Sequence, residues 1–125
     1  MDIVAAFYPE SNPKGELRLR PCLVLAVRHN PQERLFMCEV AFGTKNLKTW
    51  SRIGKDLIIQ NNNDLDECGL AVATRFDMDP ANRAPLPWNE DFFGCWGGKS
   101  SPRIGSLSTD YQKDVAFILM KQMAG

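Results

Sequence analysis

Residues 21–27, Pro-Cys-Leu-Val-Leu-Ala-Val, are apolar at every position. A proline opens the run and His29-Asn30-Pro31 turns the chain just after it. So short an apolar stretch, lacking polar alternation, reads as a strand covered on both faces in the middle of a sheet. Its neighbours must then be strands as well. Residues 34–42 alternate, with Phe36, Cys38, Val40 and Phe42 on one side and Glu39 on the other. The short turn between the two runs predicts an antiparallel hairpin. Residues 3–8 form an apolar first strand stopped by Pro9, and residues 9–19 form a loop. Residues 55–60 and 69–77 add two more strands, with the Asn61-Asn62-Asn63-Asp64 cluster as a turn between them. In the second of these, Leu70, Val72, Thr74 and Phe76 share one face, and Ala71, Ala73, Arg75 and Asp77 share the other. Residues 84–93, aromatic and bounded by proline, read as an edge strand plus turn, and residues 94–103 as a loop.

One segment follows the helical period. Thr109 is placed as N-cap with Gln112 reaching back in a capping box, and Asp110 and Lys121 complement the dipole. Tyr111, Val115, Ile118, Leu119 and Gln122 form one stripe. Residues 115–120 are apolar nearly all round, which predicts cover on both sides and a second subunit as one source of it. At 125 residues the chain is one domain, 1–125. The expected fold is mainly β with α: a small, strongly curved antiparallel β barrel closed by a C-terminal helix.

Composition removes several functions. With 44% hydrophobic and 24% charged residues, the chain has a globular composition. No apolar run approaches the ~20 residues of a membrane span. The start has no basic region before an apolar stretch, so no secretory signal is expected and the cytoplasm is the predicted compartment. Cys22, Cys38, Cys68 and Cys95 make no CxxC pair, and His29 is the sole histidine. No metal site is expected, and the cysteines read as buried, reduced thiols. Residues 94–100, Gly-Cys-Trp-Gly-Gly-Lys-Ser, imitate a phosphate loop. They have three rather than four residues between the first glycine and Gly-Lys, and Pro102 blocks a following helix. The acidic clusters at 64–67 and 77–79 lack calcium-loop spacing. No cofactor is expected.

The net charge is zero, but residues 14–60 carry +5 and residues 61–98 carry −5. A basic segment can present a local anion-binding face on a neutral protein. Three features give that face chemistry. Lys14, Arg18 and Arg20 lead into the buried strand, and Pro21 stiffens the chain behind Arg20, whose guanidinium suits a phosphate or a developing oxyanion. Thr44, followed by Lys45, ends the partner strand near the Arg20 end. Arg75 and Asp77 stand two apart on one face beside small alanines. They form either an acid–base pair or a structural salt bridge.

The order of these features resembles the PemK/MazF family of growth-inhibitor toxins. The likeness is carried by the first strand ending at Pro9, by Arg20-Pro21-Cys22-Leu23-Val24-Leu25, and by the strand ending in Gly43-Thr44-Lys45. Gly69-Leu70-Ala71-Val72 and Ile104-Gly105-Ser106-Leu107 before the last helix extend it over nearly the whole chain. The resemblance implies an SH3-like barrel, a homodimer, and metal-independent cleavage of single-stranded RNA. In that reaction the ribose 2′-hydroxyl attacks the adjacent phosphate and leaves a cyclic phosphate and a 5′-hydroxyl. Arg20 matches the family's catalytic arginine, and Arg75-Phe76-Asp77 resembles the acid–base pair of Kid-type members. Lys14, Arg18 and Lys45 would bind RNA, with Thr44 assisting Arg20. The implied partner is an antitoxin whose acidic tail fills the RNA groove. The chain departs from the pattern at Gly43, which falls where the family places a catalytic Thr or Ser. The acidic segment 61–98 and the stretch from Trp88 to Trp96 also lie outside the family pattern. Two alternatives accompany this reading: a catalytically silent SH3-like module binding RNA or protein, and a toxin directed at a protein such as gyrase.

Overall fold

A computed structural model describes residues 1–8, 18–48, 56–97 and 99–124. The chain runs β1 (Asp2–Tyr8), β2 (Arg18–Asn30), β3 (Leu35–Thr44), β4 (Leu57–Ile59), α1 (Asn62–Cys68), β5 (Thr74–Phe76), β6 (Ala84–Pro87), β7 (Arg103–Ser106) and α2 (Thr109–Ala124). The strands form one curled antiparallel sheet, a half-barrel, in the order β4-β5-β3-β2-β1-β7, with β6 also paired to β3. The all-apolar run lies in β2, flanked by β1 and β3 as a central strand must be. The β2–β3 register shifts between Val24 and Ala26, a local bulge that bends the hairpin.

Both sheet faces carry a core, but the apolar run of β2 is buried only at Cys22 and Leu23: Val24, Leu25 and Ala26 are half-buried and Val27 is exposed, because the far end of the strand runs past the two clusters. One cluster gathers Ile3, Leu23, Ala41, Phe76 and Met78 under α1 and α2, through Leu65, Val115 and Ile118. The other gathers Val4, Cys22, Val40, Phe42, Leu86 and Phe93. In β6, Pro85 and Pro87 flank the buried Leu86, as an edge strand permits. No helix among the described residues is long and apolar enough to cross a membrane.

The structure departs from the sequence expectations at several points. The asparagine cluster is not a turn but the start of α1: Asn61 caps it, accepting from the Asn63 N–H at 2.9 Å. Gly69 closes that helix in the left-handed region at φ 71°, and it packs so tightly on the Ile104 carbonyl that a side chain would overlap it. The strand expected over 69–77 shrinks to β5, because the residues before it finish the helix and reach β7. Residues 103–106, expected partly as loop, form β7 and pair with β1. In α2 the cap is Ser108, not Thr109. Its hydroxyl lies 3.5 Å from the Tyr111 nitrogen, and Gln112 Nε2 donates to the Leu107 carbonyl at 2.9 Å. Val115 and Ile118 of the expected stripe are buried, whereas Phe117, Met120 and Met123 stand exposed on the outer face. Three cysteines are buried as expected, but Cys95 is exposed. Burial pushes the Cys22 thiol up to about 12.

The two helices are joined by one short hydrogen bond, Tyr111 Oη donating to Asp64 Oδ2 at 2.7 Å. Burial first, then that bond to the carboxylate, pushes the phenol from 10.0 up to about 12. The folded state therefore favours the protonated phenol. Its contribution is complete below pH 10 and is lost as pH rises to about 12. Urea midpoints measured across that window should fall more steeply for the wild type than for Tyr111→Phe. Parallel curves would show that the bond contributes nothing.

Candidate functional site

Where β2 begins and β3 ends, the two strands pass unusually close. A Cβ on Gly43 would sit 2.8 Å from the Pro21 carbonyl oxygen, 2.8 Å from the Thr74 methyl and 3.1 Å from the Phe76 ring. The backbone there can approach because glycine has no side chain. The β2–β3 ladder ends at Cys22 with Phe42, two residues short of Arg20 on one strand and of Thr44 on the other. Beyond Phe42 the strand turns to β5, with Gly43 against Phe76 and Thr44 against Arg75.

A cavity of about 580 Å³ opens at this junction. Arg20, Pro21, Thr44 and Lys45 form one side of its lining, and Trp96, Gly97, Lys99 and Ile104 another. Gly69, Leu70, Ala71 and Val72, between α1 and β5, complete it with small and apolar groups. Three cationic side chains and no carboxylate line it among the described residues. Arg20 and Thr44 are half-buried and Lys45 is exposed. The Thr44 hydroxyl accepts the Asn46 N–H at 3.2 Å, which leaves its own proton to donate. Arrays of this kind suit a phosphate: a guanidinium to spread over its oxygens, a hydroxyl to orient one, and an ammonium for charge.

Other expected site residues fall elsewhere. The Arg75 Nη1 bonds Asp56 Oδ2 at 2.8 Å, and its Nε donates to the Asn46 carbonyl at 2.8 Å. Asp56 is 1% exposed in its side chain and also accepts the Met78 N–H at 3.0 Å. Asp77 accepts from the Asp79 N–H at 3.0 Å and from Asn82 Nδ2 at 2.9 Å, bracing a turn. Neither Arg75 nor Asp77 belongs to the cavity wall. Of the two readings of Arg75, the buried ion pair is the one with geometry, although its partner is Asp56. Arg75 acts on the site indirectly, because its hold on Asn46 steadies the chain just after Thr44 and Lys45. The Arg18 backbone lies in β2 opposite Tyr8; its side chain and Lys14 lie outside the described residues. Trp96 and Lys99 were not foreseen as site residues. The signal for them was a large aromatic and a lysine among glycines in a stretch that fits no phosphate loop.

No cluster of three or more metal-ligating side chains occurs among the described residues. Comparison with family models, with curated proteins and with solved structures gives no match to this chain.

Two substitutions separate architecture from chemistry. Asp56→Ala strands a guanidinium and a backbone N–H, and should cost about 3 kcal/mol in urea unfolding. An unchanged midpoint would remove the ion pair from the architecture. Gly43→Ser, which adds a hydroxyl-bearing side chain at this close passage, should overpack the strand junction and cost about 2 kcal/mol. A stable Gly43→Ser protein would show that the junction yields more readily than its contacts imply.

Proposed function

We propose that the chain is a metal-independent endoribonuclease with an SH3-like barrel of the PemK/MazF type, a growth inhibitor acting on single-stranded RNA. The observation that carries this reading is the meeting of Arg20 and Thr44 in one cavity, with Lys45 beside them. A scissile phosphate placed there has the Arg20 guanidinium across its non-bridging oxygens. The RNA's own 2′-hydroxyl attacks phosphorus, the P–O5′ bond breaks, and a 2′,3′-cyclic phosphate and a 5′-hydroxyl form. One proton leaves the attacking oxygen and one reaches the departing oxygen, so none is consumed. Arg20 stabilises the extra negative charge of the pentacovalent phosphate, where a preorganised cation is most effective. Thr44 donates to one phosphate oxygen, and Lys45 binds a neighbouring phosphate. In this reading Arg75 and Asp77 are positioning and structural groups rather than the acid–base pair of Kid-type members. The acidic tail of an antitoxin would compete for the same cations.

The second reading, a silent binding module, draws on Gly43. The family's hydroxyl position is empty of a side chain and too crowded to receive one. One assay separates the two. Purified protein is incubated with single-stranded RNA in EDTA, and 5′-hydroxyl ends are sought. Arg20→Ala should lose about a hundredfold in rate with its urea midpoint retained, and Thr44→Ala should lose less. Binding without any cleavage would leave the module as the better account, and cleavage that requires magnesium would overturn the mechanism.

The proposed assembly is a homodimer through α2. Its outer face shows Phe117, Met120 and Met123, which are 54%, 63% and 89% exposed and spaced three residues apart. Sedimentation should give a dimer for the wild type and a folded monomer for Met120→Lys. A wild-type monomer at high micromolar concentration would exclude this face as the dimer contact.

A further inference from the structure

We infer that Trp96 is a base-stacking platform, which receives an unstacked base of a single-stranded nucleic acid while Lys99 takes the adjoining phosphate. The inference rests on the reading of the cavity as an RNA site and adds the group that holds the base.

Three observations carry it. The first is that both ends of the loop are pinned to one residue of β1. The Ala5 carbonyl accepts the Gly94 N–H at 3.2 Å, and the Ala5 N–H donates to the Pro102 carbonyl at 2.8 Å. Phe7 N–H to the Phe92 carbonyl, at 2.8 Å, adds a further tie. Gly94 and Pro102, on either side of Trp96 and Lys99, are thus fixed at the same point of a core strand. The second is the turn inside the loop. Lys99 N–H bonds the Trp96 carbonyl at 3.0 Å, and Gly97 takes φ 53°, which a side chain would disfavour. Lys99 Nζ in turn donates to the Ile104 carbonyl at 3.2 Å, which keeps the ammonium on the cavity lining. The third is that Trp96 lines the cavity yet stays 43% exposed. A large ring on a pinned loop, next to cations and facing space, is arranged to cover a flat apolar surface.

The ligand chemistry follows from the combination. An acidic peptide would satisfy Arg20, Lys45 and Lys99 but has no regular need of the ring. A nucleic acid strand alternates phosphates with flat bases and uses both. Bases in a duplex already cover each other's faces, so a single strand fits and a helix does not. Among the described residues, the other exposed tryptophan, Trp88, sets the contrast. It is 41% exposed, but its ring packs on Phe93 with centroids 4.5 Å apart, and it is not part of the cavity wall.

The test uses a short mixed-sequence RNA with every 2′-hydroxyl methylated, which binds but cannot be cut by 2′-attack. Tryptophan fluorescence and a filter-binding titration are read on the wild type, Trp96→Ala, Trp96→Phe, Trp88→Phe and Lys99→Ala. The inference expects quenching by the RNA in the wild type and in Trp88→Phe, and its loss in Trp96→Ala. Trp96→Ala should bind roughly tenfold more weakly, with Trp96→Phe recovering most of that. Lys99→Ala should lower the slope of log affinity against log salt by about one. Unchanged affinity in Trp96→Ala would overturn the platform even if the wild type binds and cuts RNA. Trp96-dependent binding by a protein that cuts nothing would leave the platform standing and remove the nuclease. Failure of the wild type to bind the strand, or tighter binding of an acidic peptide that ignores Trp96, would overturn it.

Discussion

The close passage of β3 against the start of β2 at Gly43 governs the rest of the site. With no Cβ at that position, the Pro21 carbonyl, the Thr74 methyl and the Phe76 ring converge on one backbone unit. That convergence ends the β2–β3 ladder and hands β3 over to β5. It also sets the Arg20 and Thr44 ends of the two strands around a common cavity. A residue with a side chain would push the strands apart by a few tenths of an ångström or more, and the cavity would open. The same glycine therefore keeps Thr44 and Arg20 on the lining of one cavity.

Two arginines near the cavity have different surroundings. Arg75 is paired to an almost fully buried carboxylate, and a pair of that kind is costly to break although it adds little net stability when intact. What it supplies is position: Asp56, the Met78 backbone, Arg75 and the Asn46 carbonyl form one connected set. This set joins the beginning of β4, the end of β5 and the chain leaving β3. Arg20 is half-buried and lines the cavity.

How much of this was legible in the sequence depends on the range of each interaction. The alternation of β3 and the unbroken apolar run of β2 are local, so the hairpin and its antiparallel sense were readable. The C-terminal helix was readable for the same reason, although its cap lies one residue earlier, because Ser108 competes with Thr109 for the same role. Helix α1 was hidden by its own cap: Asn61-Asn62-Asn63 is turn-like in composition, and only the tertiary contacts of Leu65 and Cys68 make a helix of it. Strand β7 was hidden because four residues with a glycine carry almost no periodic signal and are strands only by pairing with β1. Arg20, Thr44 and Lys45 were legible as a group since they sit at the ends of strands that pair. The partner of Arg75 was not, as Asp56 is nineteen residues away in sequence and stands just before another strand, β4. Trp96 and Lys99 were not either, because the loop is placed by hydrogen bonds to Ala5, ninety residues earlier in the chain.

Zero net charge has a specific meaning in this architecture. Three carboxylates of the acidic segment do internal work: Asp64 holds Tyr111, and Asp77 and Asp79 brace the turn after β5. None of them lines the cavity, while three cations do. Under the proposed function, a strand of nucleic acid approaching from a distance would meet a weak field and gain little from steering. At contact it would meet three cations and the Trp96 ring. Such a site would release few counterions, so its affinity would depend less steeply on salt than that of a basic nucleic-acid protein. A larger share of the free energy would then have to come from stacking and from the apolar lining around Val72 and Ile104. Selectivity for unpaired strands would follow from the same balance, because only an unpaired base has a face to offer.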